Sequence, residues 1–152
     1  MGPRGSRLAR ALRGHERVAV DTGPLIYFLG GYAPRDSVAD ELLTLAAAGR
    51  IELVASVVTE AELLVGALKA ERSREAAAIG QLFDGPVLRA APVSRAVARQ
   101  ASELRARHGL GMVDAIAVGT ALEEECTALV ANDEAFRRVG GRLAYLHLDD
   151  LV

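Results

Sequence analysis

Val18-Ala-Val-Asp21-Thr-Gly23-Pro24-Leu-Ile-Tyr-Phe28-Leu29 changes its period in the middle. Val18 to Val20 is a short apolar run of the kind that forms a buried strand. Asp21 ends it. Gly23-Pro24 then opens a helix, since proline is tolerated in a first helical turn. Leu25, Ile26, Phe28 and Leu29 form the apolar part of that helix, and Gly30-Gly31 stops it. A buried strand, an acid at its carboxyl end and a helix make one βα unit.

The same alternation continues outward. Pro34 to Gly49 reads as a helix, with Val38, Leu42, Leu43, Leu45 and Ala46 at helical spacing. Ile51 to Ala55 reads as a strand. Ser56 to Ala70 follows as a helix, with Ala61, Leu64, Val65 and Leu68 expected on its inner face. Glu71 to Phe83 is a helix stopped by Asp84-Gly85-Pro86, and a short strand follows between Val87 and Val93. Ser94 to His108 is an amphipathic helix with a serine N-cap and Gly109 at its end. Met112 to Glu125 is strongly apolar and therefore central. Thr127 to Ala131 is a strand, Asp133 to Val139 a short helix, and Leu143 to Leu148 the last strand. Strands alternating with helices predict an α/β fold with a mostly parallel sheet.

The bulk numbers fit one domain. The chain has 152 residues, 51% hydrophobic, with no Trp and only six aromatics, so Ala, Val and Leu must fill the core. No run reaches the ~20 apolar residues of a membrane span, and a cytoplasmic protein is expected. The single cysteine, Cys126, excludes an intrachain disulfide and a cysteine-rich zinc site; a buried, inert thiol is the expectation. The net charge of −2 is unevenly spread. Residues 1–17 carry Arg4, Arg7, Arg10, Arg13 and Arg17 against Glu16, a net of +4, which leaves −6 on the rest. This segment is expected to be a flexible basic extension, 1–17, ahead of a domain at 18–152. A role for its arginines on nucleic acid is the other reading.

Four acids stand at turns or helix starts: Asp21, Glu62, Asp114 and Asp133. Each has an ordinary explanation. Asp21 could cap the helix at Gly23-Pro24. Asp114 could favour a first helical turn by ~0.3–1 kcal/mol. Asp133, or Asn132 beside it, could be an N-cap worth ~1 kcal/mol. Glu62 could lie on a solvated face, although Glu60 is the expected solvated member of that pair. Glu123, Glu124 and Glu125 look like a solvated helix end. Taken together, the four acids fit one end of one sheet, where open α/β folds place their crevice. Carboxylates brought to within ~5 Å repel by ~3 kcal/mol per pair at an effective dielectric near 20. Six such pairs would exceed the ~5–15 kcal/mol stability of a domain. Either several protonate or a divalent cation binds. Oxygen donors favour Mg²⁺ or Mn²⁺ over zinc.

These segments, in this order, resemble the PIN-domain ribonucleases, and more narrowly the VapC-type toxins of bacterial toxin–antitoxin pairs. The resemblance is carried by Val20-Asp-Thr-Gly-Pro-Leu-Ile-Tyr-Phe-Leu29 and Ser56-Val-Val-Thr-Glu-Ala-Glu-Leu-Leu-Val-Gly66. It continues in Leu104-Arg-Ala-Arg-His-Gly-Leu110, Asp114-Ala-Ile-Ala-Val-Gly-Thr-Ala-Leu122 and Leu129-Val-Ala-Asn-Asp-Glu-Ala-Phe136. It implies a three-layer α/β/α sandwich and Mg²⁺- or Mn²⁺-dependent cleavage of RNA. It implies Asp21 and Asp114 as principal metal ligands, Glu62 on metal or its water, Asp133 on a second metal or orienting water, and Thr22 as a supporting hydroxyl. It also implies a small antitoxin partner whose tail lies over the acids, and a homodimer. Tyr27, Phe28 and Tyr32 are candidates for the antitoxin groove or the core, with core the expected place for Phe28. The family often has Thr two places before the last acid; here that residue is Ala131.

Other readings fit less of the chain. Val20-Asp-Thr-Gly matches the aspartic-protease motif, but that fold is all-β. An aspartyl-nucleophile phosphatase wants an acid two residues on, where Gly23 stands. A receiver domain wants a late lysine, and the only lysine is Lys69. The rival of another class is a catalytically weak or silent PIN-like module that acts through protein–protein binding; Ala131 is the feature that favours it. Arg95 and Arg99, four apart on one helix, suit either phosphate contact or a solvated face.

Overall fold

A computed structural model describes residues 5–152. Five parallel strands form one sheet in the order β3-β2-β1-β4-β5: β1 Arg17–Val20, β2 Glu52–Ser56, β3 Leu88–Ala91, β4 Ala128–Ala131 and β5 Ala144–His147. The register pairs Val18 with Leu53 on one side and with Ala128 on the other. The chain builds outward from β1 to β3, then returns to the other side of β1 for β4. The strand order therefore reverses between β1 and β4, where ligands bind in open α/β sheets.

Strand alternation assigns the two faces. Val18, Val20, Leu53, Ala55, Ala128 and Val130 share one core with α2 (Thr22–Gly30), α3 (Arg35–Ala47), α4 (Val57–Lys69) and α5 (Ser73–Asp84). The residues between them, Ala19, Val54, Leu129 and Ala131, share the other core with α6 (Arg95–His108) and α7 (Met112–Glu123). Period-two side chains on a sheet covered on both faces give three layers. The expected sandwich is observed, with every strand parallel. α7 is central as expected: Ala115, Val118, Gly119, Thr120 and Ala121 are all buried.

Four expectations are corrected. The segment before Val18 is not a loose extension over its described part. Ser6 caps a short helix, α1 (Arg7–Ala11), and Leu8 and Leu12 are buried in the first core. Arg7 donates to the Val152 carbonyl at 2.8 Å, Arg10 donates to the Gly5 carbonyl, and Arg17 belongs to β1 and bonds Glu52. Arg4 lies outside the described residues. The leucines were masked in the sequence by the arginines around them.

The inner face of α4 is the second correction. Thr59, Leu63 and Ala67 are buried, whereas Ala61 is exposed, Val65 is 50% exposed and Leu68 66% exposed. The helix carries two rows at helical spacing, and the sheet accepts the smaller one. Third, Glu124 is not merely solvated. It is gripped by Arg89 through Nε at 2.8 Å and Nη2 at 3.3 Å. Asp133 to Val139, expected as a helix, is a 3-10 turn over Glu134–Arg138. Cys126 is buried, and burial pushes its thiol up to about 12. Among the described residues, no helix is long and apolar enough to cross a membrane.

Candidate active site

Asp21 follows β1 directly. Its backbone N–H donates to the Val130 carbonyl at 3.0 Å, so it sits beside the end of β4 at the reversal point. It occupies the N-cap position of α2, yet its side chain makes no capping bond. The capping explanation therefore fails. Burial pushes its carboxyl up to about 7; the Thr22 N–H works against this, and Asp114, Glu62 and Asp133 add repulsion.

The other three acids come from three further elements. Glu62 lies on α4, and the Thr22 hydroxyl donates to its Oε1 at 2.8 Å across the α2–α4 contact. Exposure does not separate Glu62 from Glu60 as expected, because Glu60 is half-buried and Glu62 exposed. The Thr22 bond and the repulsion felt by Asp21 and Asp114 are what single out Glu62. Asp114 lies in the first turn of α7, whose N-cap is Gly111. Burial raises its pKa, with Asp133 and Glu62 adding to the shift. Asp133 does cap: its Oδ1 accepts from the Ala135 N–H at 2.9 Å. One of its carboxylate oxygens is thus committed to local structure.

The groups that shift Asp21 and Asp114 are carboxylates, burial and one backbone N–H; no Arg, Lys or His is among them. Among the described residues, no three His, Cys, Asp or Glu side chains are already closed into a cation cage. The donor set nonetheless suits a hard divalent ion, because every ligating atom on offer is a carboxylate or hydroxyl oxygen.

Asn132, beside Asp133, donates through Nδ2 to the Tyr27 hydroxyl at 3.1 Å, and its Oδ1 is buried without a partner. Gly23 makes room for it: a Cβ there would stand 3.1 Å from the Asn132 Cβ. Tyr27 thus reaches the edge of the site, while Phe28 packs against the core and Tyr32 is exposed. Tyr145, which the sequence reading passed over, holds the Asp133 backbone. Its hydroxyl accepts from the Asp133 N–H at 3.1 Å and donates to the Asp133 carbonyl at 2.7 Å. Arg95 and Arg99 are both exposed on α6.

The PIN domain family profile matches residues 18–142. No curated protein matches the chain. Among solved structures, VapBC2 from Rickettsia felis bound to a DNA fragment from its promoter aligns with TM-score 0.69 and 22% identity, covering 86% of this chain and 98% of that one. DNA-bound VapBC from Salmonella typhimurium aligns with TM-score 0.70 and 18% identity, covering 88% and 98%. VapC20 of Mycobacterium tuberculosis, a sarcin-ricin loop cleaving toxin, aligns with TM-score 0.67 and 21% identity, covering 81% and 95%. These likenesses are of fold, and they agree with the profile: the chain belongs to the PIN domain family.

Proposed function

We propose that the chain is a divalent-metal-dependent endoribonuclease and the toxin of a toxin–antitoxin pair. One observation carries the reading: Asp21 is pushed up to about 7 by burial and by three neighbouring acids, with no cation among the groups that act on it. A Mg²⁺ or Mn²⁺ ion bound there would lower the pKa of water and neutralise a phosphodiester. Asp21 and Asp114, the two acids whose protonation burial favours, would hold the ion. Glu62, aimed by Thr22, would hold the ion or its water. Asp133 would offer the oxygen its cap leaves over, to a second ion or to water. Ligation would draw these side chains together, since no cage stands ready among the described residues.

The comparison structures support a small antitoxin partner, because two of them are named as VapBC. Ile26, Met112 and Val113, exposed apolar residues on the two helices whose starts carry Asp21 and Asp114, suit a partner segment laid over the acids. The exposed row Val57, Val65 and Leu68 on α4 suits a homodimer, which sizing at micromolar concentration checks; a monomer there removes that claim. An RNA substrate would fit a cytoplasmic protein.

The alternative, a weak or silent module, is favoured by Ala131, whose methyl offers no hydroxyl beside Asp133. RNA cleavage decides between them. The parent should cut RNA with Mg²⁺ or Mn²⁺ and stop in chelator, and Asp21→Asn should lose about a hundredfold or more. Cleavage that persists in chelator and in Asp21→Asn removes the nuclease assignment to this site. A parent inactive with both metals leaves the binding module.

A further inference from the structure

Asp133 is held from β5 as well as from the turn that follows it. Tyr145 lies on β5, paired in register with Leu129 of β4. Its ring is fixed on three sides: the Phe136 and His147 rings are each 5.8 Å away, and the Arg137 guanidinium lies 5.4 Å from its centre. A ring packed this way has little freedom, so its hydroxyl is delivered to one point. At that point it meets both backbone groups of a single residue, the N–H and the carbonyl of Asp133. The N–H belongs to the peptide plane before the Asp133 Cα and the carbonyl to the plane after it. Gripping both planes fixes φ and ψ, here −135° and 123°. The Ala135 N–H fixes the carboxylate through Oδ1. Between them, the two contacts determine where the second carboxylate oxygen points.

We propose that Tyr145 is a positioning residue of the carboxylate site, acting through Asp133: its two-sided hydroxyl grip sets the backbone that aims the fourth acid. The inference rests on the metal-site reading above. Neither residue just before Asp133 does this work, since Ala131 has no polar side chain and the Asn132 amide is engaged with Tyr27. A purely structural tyrosine would also find a backbone partner for its hydroxyl. It would have no reason to bond both sides of a residue whose charge is felt at Asp21 and Asp114.

Full-length parent, Tyr145→Phe, Asp133→Asn and the double variant test this. The phenylalanine keeps the ring packing and removes only the hydroxyl. Mn²⁺ affinity is measured by calorimetry without RNA, and kcat and KM are measured on RNA. Removing a group that orients a metal ligand costs roughly 10–100-fold in affinity or activity. Tyr145→Phe should therefore weaken Mn²⁺ binding and lower kcat by about tenfold, with KM unchanged. The double variant should be no worse than Asp133→Asn, because both changes act on one group. Parental Mn²⁺ affinity and kcat in Tyr145→Phe overturn the proposal, as do losses that multiply in the double variant. Amide exchange in the parent adds a readout that no folding defect can blur: the Asp133 N–H should be protected, and exchange at the rate of an open loop overturns the grip. A parent that binds Mn²⁺ without cutting RNA removes the nuclease reading alone, and the calorimetry still judges Tyr145. A parent that does neither overturns both.

Discussion

Asp21 sits where burial and charge repulsion act in the same direction, and this makes its protonation a stability term. Its folded pKa of about 7 lies above the ordinary value of 3.8. Between these values the folded state binds more protons at this group than the unfolded state does. Stability from this group is present below pH 4 and is lost as pH rises toward 7. Asp21→Asn carries an uncharged isostere at every pH. In chelator, the melting temperatures of parent and variant should lie close together near pH 4, and the parent should fall below the variant as pH approaches 7. The gap corresponds to a few kcal/mol at most. A parent that stays above Asp21→Asn at pH 7 without metal would show that the carboxylate is compensated by a partner. The placing of the acids was legible in part: Asp21 and Asp133 follow strands, Asp114 lies in a first helical turn, and Glu62 lies one turn further along α4. Tyr145 was not legible. A tyrosine in an alternating strand reads as core, and nothing in its spacing from Asp133 signals a backbone grip. The Asp133 cap was anticipated, whereas the Asp21 cap was not realised: the fold spends that carboxylate on the crevice.

At the scale of elements, α6 and α7 meet through Gly119. A Cβ there would lie 3.0 Å from the Val97 carbonyl oxygen and 3.3 Å from the Ala101 nitrogen. Both are backbone atoms and cannot swing aside. Gly119→Ala would gain up to ~1 kcal/mol of helix propensity. Overpacking against a helix backbone costs ~1–3 kcal/mol, so overpacking wins. The variant should melt about 2–4 °C lower than the parent, as expected for a net loss near ~1 kcal/mol in a domain of this size. Because α7 carries Asp114, cleavage should fall with it. A higher melting temperature would mean that the helices separate freely. Element type and order were readable because short continuous apolar runs alternate with segments of 3.6 period. The buried face of α4 was not, because its two rows are both apolar at helical spacing. Leu63 is taken into the core, while Val65 and Leu68 are left outside. Periodicity reports that a face exists and does not say which of two faces the sheet takes.

At the scale of the molecule, the sheet has acids at one end and structural ties at the other. At the amino ends, Arg17 bonds Glu52 and the Glu124 carbonyl, and His15 meets the Thr127 hydroxyl at 2.7 Å. α1 packs on α3 and adds Leu8 and Leu12 to the core that contains Leu151. Leu8 is 0% exposed. Leu8→Ala should cost ~2–5 kcal/mol, the range for a fully buried leucine. At 2–4 °C per kcal/mol, that lowers the melting temperature by about 4–20 °C. RNA cleavage at 25 °C should be unchanged, since α1 contributes nothing to the acid crevice. A shift below about 1 °C would show that α1 is not docked in solution. The composition of residues 1–17 concealed this, because charge dominates the average while burial depends on individual positions.

The central claim is that Asp21, Glu62, Asp114 and Asp133 are one repulsive site built for a divalent cation. Thermal melts of the parent and Asp114→Asn at pH 7, each in chelator and in saturating Mn²⁺, test it most directly. Without metal, Asp114→Asn should melt higher, because it removes one charge from the repulsive set. With Mn²⁺ at about a hundred times its dissociation constant, the parent should gain ~2.7 kcal/mol, or about 5–10 °C, and overtake the variant. A metal-free Asp114→Asn that melts lower than the parent, or a parent that Mn²⁺ does not lift above it, would contradict the account.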